Sequence, residues 1–365
     1  MVIWIDAKNS SLYKGGISSW LNSIISRLDH VNTSNIRIVM PKLEIPNSLE
    51  SYAIENLYLP WFDKLPRKIN HIIYDSITFR FFAWLKNPQI VFSPYYDVIM
   101  PKNVFSIISI HDLCFLEVPE LYPYLQRKYY VRAMKTNLSR ASLIVTVSQN
   151  SKNQMANLLN VPSSKVIVIK NRISEEFVNY KVSSEDISEF RSNFESDSKL
   201  LLYSGGFENR KNIDNLFLAL ENLILSGVKC TLIVTGDVAH KWKKQIERSA
   251  ILKSSVKLLG FISNSNLKIA YKSVDVVVYP SRSEGFGRSC IEAMYTNTPL
   301  ACSDIPVFRE VAADYPKYFN PLDHLDISEK IKLAMNQNCD GSQVLNKYLN
   351  EPDGFLALQE ILQDD

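Results

Sequence analysis

The sequence predicts an α/β protein built from two doubly wound domains. Short apolar runs alternate with amphipathic stretches along most of the chain, the pattern of buried parallel strands joined by crossover helices. That rhythm breaks near residue 170 in a Ser-, Glu- and Asp-rich stretch and then restarts. A length of 365 residues also exceeds what one ordinary α/β core fills, so two domains of similar size are expected.

In chain order, strand-like runs fall at 2–7, 36–40, 89–92, 104–110, 143–147 and 165–169, with helical patterns at 18–28, 122–138 and 151–159. These make a first domain over 1–170. Residues 171–199 read as a linker with one polar helix. In a second domain, 200–345, strands are expected at 200–203, 230–235, 256–259, 274–279 and 300–302, and helices at 213–225, 240–252, 265–272 and 288–296. A C-terminal segment, 346–365, turns at Pro352 and Gly354 into a helix over 353–362 and is expected to return to the first domain. The cleft between the halves is the natural ligand site of such a pair.

Hydrophobic residues make up 46% of the chain and charged ones 22%, which excludes a disordered protein. A net charge of +3 gives no case for nucleic acid as a partner. The five cysteines have no CxxC or Cys/His spacing; Cys114, Cys230, Cys290 and Cys302 sit among apolar residues and read as buried thiols of a reduced, cytoplasmic protein, with Cys339 outside that set. The opening MVIWIDAKNSS enters a strand-like run without the basic and apolar regions of a signal peptide, and no apolar run reaches 18 residues, so no membrane span is expected.

Residues 280–294 read PSRSEGFGRSCIEAM, with Glu284 and Glu292 on either side of Gly285-Phe286-Gly287 and the start of a helix. Glycines there let a ligand approach the amides, and a helix N-terminus favours an anion. One carboxylate can then hold a sugar and the other ribose hydroxyls, with phosphates at the amides between. The spacing by itself fits a solvated turn with two unrelated glutamates equally well. A second stretch, YSGGFENRKN over 203–212, runs from a strand through Gly205 and Gly206 to Arg210, Lys211 and the helix that Asn212 caps. Adjacent cations beside a helix suit a diphosphate, Arg210 bonding bidentately and Lys211 as a point charge; alone they also read as a solvated basic pair. Tyr13-Lys14-Gly15-Gly16 repeats the strand, glycine and helix design in the first domain, without the GxGxxG of a dinucleotide site. His111-Asp112 ends a buried strand at the carboxyl edge, where a histidine is either structural or functional.

Together these residues resemble a GT-B glycosyltransferase of the large retaining family 4, which contains bacterial mannosyl-, rhamnosyl- and glucosyltransferases. The resemblance runs through EGFGRSCIEAM, whose Glu284 and Glu292 match an E-x7-E signature, and through VKLLGFISNSNLKIAYKSVDVVVYPSRSEGFG, YSGGFENRKNIDNL and TPLACSDIPVFREV. It continues into the first domain through IHDLCFLEVPE and ASLIVTVSQNSKNQM. It implies two Rossmann-like domains facing a central cleft, an acceptor-side first domain and a nucleotide-sugar-binding second one. It also assigns Lys211 and Arg210 to the donor pyrophosphate, Glu292 to the ribose, and Glu284 with the amides of Gly285, Phe286 and Gly287 to sugar hydroxyls and phosphate. His111 matches a histidine near the reacting sugar, and Gly15 and Gly16 a first-domain glycine turn. Gly206 stands where many members carry arginine, Arg172 follows Asn171 where glycine is common, and Arg288 replaces a usually apolar residue.

The implied reaction is metal-independent hexosyl transfer with retention. No D-x-D and no His/carboxylate cluster with metal spacing is present, so cations and a helix N-terminus would stabilise the leaving diphosphate, and no cofactor is expected. A phosphate oxygen of the leaving group would take the acceptor proton. The Arg-Lys-Asn run resembles users of GDP-mannose or dTDP-rhamnose, and the acceptor is expected to be a saccharide or lipid-linked saccharide of bacterial surface polysaccharide, O-antigen, lipopolysaccharide or capsule. The basic-aromatic stretches 77–86 and 122–135 suit peripheral contact with the cytoplasmic face of the inner membrane, and equally a core under a solvated basic face. The rival readings are a sugar-phosphate-using enzyme of the same fold and a catalytically silent nucleotide-sugar-binding subunit.

Overall fold

The computed structural model describes residues 1–8, 16–28, 35–40, 52–57 and 73–363. It has two compact units, one of Met1–Arg172 with Pro352–Asp365, the other Ile173–Glu351.

The first unit is built on strands β1 (Ile3–Asp6), β2 (Ile36–Met40), β3 (Ala53–Asn56), β4 (Ile90–Ser93), β5 (Phe105–Ser109), β6 (Leu143–Thr146) and β7 (Val166–Val168). They form one parallel sheet in the order β3-β2-β1-β4-β5-β6-β7. The residues of β1, β4 and β6 are buried throughout, as a sheet covered on both faces requires. Helix Gly16–Leu28 turns a stripe of Trp20, Leu21, Ile24, Ile25 and Leu28 inward, and Ser148 caps helix Gln149–Leu159 by accepting from the Ser151 amide at 3.0 Å. The last helix, Phe355–Gln363, packs in this unit. Arg27 forks onto Asp353 with two bonds of 3.1 Å and lies over the Phe355 ring, and the Gly354 amide donates to the Val168 carbonyl at 2.7 Å.

The second unit carries β8 (Lys199–Ser204), β9 (Cys230–Thr235), β10 (Val256–Gly260), β11 (Val276–Tyr279), β12 (Leu300–Ser303) and β13 (Lys317–Phe319). These too are all parallel, in the order β10-β9-β8-β11-β12-β13. Residues 171–199, expected as a linker with one polar helix, differ from that reading. They hold two helices, Glu175–Asn179 and Ser184–Ser192, and Ile173 onward belongs to the second unit. Buried Phe177 meets Tyr271 edge-on and Tyr295 at a tilt, and Lys268 donates to the Val178 and Tyr180 carbonyls at 2.8 and 2.6 Å. The helix expected over 240–252 breaks at Ser249, whose side chain caps a new helix, Ala250–Ser255. Cys114, Cys230, Cys290 and Cys302 are buried free thiols and Cys339 is half-buried.

Candidate functional site

In the second unit the strand order reverses between β8 and β11: the chain proceeds outward to β9 and β10 on one side, and to β12 and β13 on the other. The carboxyl ends of strands at such a reversal form the ligand-binding crevice of open α/β sheets. β8 ends there in Gly205 and Gly206, and tyrosine hydroxyls shape that turn. Tyr203 donates to the Gly206 carbonyl at 2.6 Å, Tyr279 donates to the Ser204 carbonyl, and Ser289 donates to the Tyr279 hydroxyl. A Cβ on Gly205 would stand 3.1 Å from both tyrosine oxygens, so a side chain there would push on the hydroxyls that shape the turn. Burial pushes the Tyr203 and Tyr279 phenols well above their ordinary value, which keeps both as donors.

Arg210 and Lys211 leave this turn on a short 3-10 segment, Asn209–Lys211. Asn212 does not cap the following helix through its side chain as expected. Its backbone is left-handed (φ 61), and its amide nitrogen instead donates to the carbonyls of Pro280 at 3.0 Å and Pro321 at 2.6 Å. This ties the basic pair to the loop after β11, where Glu284 waits. Arg210 Nη1 reaches Glu284 Oε2 at 2.8 Å and the Ser283 carbonyl at 3.2 Å, and Lys211 Nζ reaches Glu284 Oε1 at 2.5 Å. Arg210 Nε also bonds Glu208, an exposed carboxylate, at 2.6 Å. The Glu284 side chain is only 11% exposed. Burial alone would raise its pKa; the charges of Lys211 and Arg210 and the Lys211 hydrogen bond outweigh that and hold it down at about 2. The result is two fixed cations around one fixed carboxylate.

Gly287 stands at φ +155, and a Cβ there would lie 3.0 Å from the Phe308 ring, so only glycine joins this loop to helix Arg288–Thr296. The first amides of that helix have no intrahelical acceptor, which makes its start a place for an anion. Phe286 is buried, its ring 6.0 Å from that of Tyr348. Glu292 lies one turn in and is buried. Tyr271 donates to its Oε2 at 2.9 Å and Arg288 Nε stands 3.3 Å from its Oε1.

The structure thus gathers Arg210, Lys211, Glu284, Gly205, Gly206, Gly285, Phe286, Gly287 and Glu292 in the second unit, on the turn after β8 and on the loop and helix after β11. His111 and Gly16 belong to the first unit, and Gly15 lies outside the described residues. Half-buried His111 donates from Nε2 to the Pro94 carbonyl at 3.2 Å, and its ring meets Trp20 edge-on at 4.7 Å. Burial lowers its pKa to about 4 against the pull of Asp112, so the ring is neutral at neutral pH and Nδ1 is an acceptor. Gly16 opens its helix, and among the described residues a Cβ there would meet nothing within 4 Å.

One charged cluster escaped the sequence reading. Buried Lys8, just past β1, pairs with Asp75 and, at 3.1 Å, with Asp97. Asp6 accepts from Ser93 at 3.1 Å and Tyr74 at 3.3 Å. The cluster sits where the first sheet reverses, between β1 and β4. Its partners lie 67 and 89 residues from Lys8, and a single lysine after a strand carries no signal in sequence.

Residues 184–350 match the family described as Glycosyl transferases group 1. The O-antigen chain mannosyltransferase RfbU of Salmonella typhimurium is 30% identical over 72% of this chain and 69% of its own length. O-antigen chain mannosyltransferase B of Escherichia coli is 26% identical over 64% of this chain and 62% of its own. Among solved structures, sucrose-phosphate synthase of Thermosynechococcus elongatus superposes with a TM-score of 0.77 at 16% identity, covering 100% of this chain and 98% of that one. Anabaena HepE, solved in complex with UDP and glucose, gives 0.72 at 16% identity, covering 99% and 98%. The two parallel-sheet units are those of the GT-B fold. The chain belongs to the group 1 family of glycosyl transferases and is a glycosyltransferase.

Proposed function

We propose that the chain transfers a hexose, with retention and without a metal, from a nucleotide-sugar donor to a saccharide or lipid-linked saccharide in O-antigen synthesis. The observation that carries this reading is the Arg210–Glu284–Lys211 cluster at the carboxyl edge of β8 and β11, beside a glycine-started helix. When a nucleoside diphosphate leaves a sugar, negative charge grows on phosphate oxygens while the sugar becomes oxocarbenium-like. Cations already held in place, together with helix amides, stabilise that charge without reorganising. Glu284 has two jobs: it fixes both cations and offers acceptor oxygens to sugar hydroxyls. Glu292 holds the ribose. A phosphate oxygen takes the acceptor proton, and neutral His111 accepts a hydrogen bond from the reacting sugar through Nδ1.

Two relatives named as O-antigen mannosyltransferases support a mannosyl donor, GDP-mannose ahead of dTDP-rhamnose, and a structure in complex with UDP and glucose supports a nucleotide-sugar. No helix among the described residues is long and apolar enough to cross a membrane. The segment Tyr74–Lys86, however, exposes Ile77, Phe81, Trp84 and Leu85, spaced to share one face. Arg80 borders this face, while Lys86 pairs with Glu55 at 3.1 Å; an exposed apolar face beside a cation supports peripheral contact with an anionic membrane, where a lipid-linked acceptor resides. The test is release of nucleoside diphosphate from GDP-mannose, dTDP-rhamnose and UDP-glucose. GDP-mannose should turn over fastest; no release from any of the three refutes the donor class.

A further inference from the structure

We infer that Arg288 is a third cation for the donor, bonding the phosphate attached to the ribose. The inference rests on the assignment of the second unit's site to a nucleotide-sugar. Arg288 is the first residue of helix Arg288–Thr296, directly after Gly287, and stands one turn before Glu292. Four residues of helix span about 6 Å, on the scale of a ribose and its 5′-phosphate. A nucleotide whose sugar reaches Glu292 and whose phosphates lie at the helix start therefore passes the Arg288 side chain.

The partners of Glu292 say which way that side chain works. Oε2 is held from the interior by the hydroxyl of Tyr271, a residue with no exposure, at 2.9 Å. Oε1 carries Arg288 Nε at 3.3 Å, and the Arg288 side chain is 39% exposed while that of Glu292 is 7% exposed. The guanidinium thus lies on the solvent side of the pair with most of its donors still to spend. Its fork matches a phosphate while Nε keeps the carboxylate. The two glutamates then act in parallel. Glu284 holds Arg210 and Lys211 for the phosphate bonded to the sugar, and Glu292 holds Arg288 for the phosphate bonded to the ribose.

The test is calorimetric affinity for guanosine, GMP and GDP, with the uridine and thymidine series alongside. The proteins are wild type, Arg288→Leu, Arg288→Lys and Lys211→Ala, each checked by thermal melting. Arg288→Leu should weaken GMP and GDP alike by about tenfold and leave guanosine within about twofold, because a charge-assisted bond to one phosphate is lost. Arg288→Lys should recover part of the loss, and Lys211→Ala should weaken GDP while sparing GMP. Unchanged GMP affinity in Arg288→Leu overturns the inference. So does an equal loss for guanosine, which would make Arg288 a residue that only positions Glu292. If none of the three series binds wild type, the donor assignment itself falls, and this inference with it.

Discussion

At Glu284 burial and charge act in opposite directions, and charge wins. A carboxylate held at about pKa 2 in the folded protein and near 4.5 when unfolded stabilises the fold above pH 4.5, and that stability is lost as pH falls toward 2. Glu284→Gln should therefore cost about 3–5 kcal/mol near neutral pH, because it leaves Lys211 without its carboxylate and Arg210 with the exposed Glu208. Melting curves across pH 2–7 should show the wild-type advantage vanishing at the acid end; a pH-independent gap would contradict the coupling. In the proposed chemistry the deciding residue is Lys211. Its replacement by Ala should leave the fold intact and lower turnover at saturating donor by at least about 100-fold, measured by steady-state kinetics. His111, neutral above about pH 5, should contribute no inflection near pH 6.5, and His111→Ala should lower kcat far more than donor affinity. Arg210, Lys211, Glu284 and Glu292 were each legible in the sequence by type and setting. Their assembly was not, because the contact of Lys211 with Glu284 spans 73 residues and that of Glu292 with Tyr271 spans 21.

The loop into helix Arg288–Thr296 is closely packed at Gly287. Gly287→Ala forces a Cβ into the Phe308 ring at a backbone angle that L-residues avoid, so it should lower stability by about 1–3 kcal/mol and weaken nucleotide binding. Gly16→Ala should leave the melting temperature unchanged, since the described residues of its own unit leave room for a side chain. Helix Phe79–Lys86 invites a different measurement. The wild type should sediment with vesicles containing phosphatidylglycerol and not with pure phosphatidylcholine, and the pair Phe81→Ser and Trp84→Ser should abolish that. Equal recovery with both vesicles, or with the double variant, would refute membrane contact through this face. Not every element was readable. The helices at Glu175–Asn179 and Ser184–Ser192 looked like a linker because their attachment rests on Phe177 and on side chains reaching carbonyls, which leave no periodic pattern. Strands β3 (AIEN) and β13 (KYF) carry polar residues and so form no continuous apolar run of the kind that marks the other strands.

On the scale of the molecule, the alternating rhythm was enough to predict two parallel sheets, because strands buried on both faces must be apolar throughout. What rhythm cannot supply is strand order, and the order determines where the chemistry sits. The reversal between β8 and β11 brings a basic turn and an acidic loop some 70 residues apart to the same edge. The reversal between β1 and β4 gathers Lys8 with its aspartates. In the proposed reaction, protein cations, in place of a metal, carry the leaving diphosphate during transfer. The direct measurement is the rate of nucleoside diphosphate release from GDP-mannose in excess EDTA, wild type beside Lys211→Ala. The wild-type rate should be undiminished and the variant's near background. Loss of wild-type activity on chelation with recovery on adding Mg²⁺ or Mn²⁺, or a variant as fast as wild type, would contradict it.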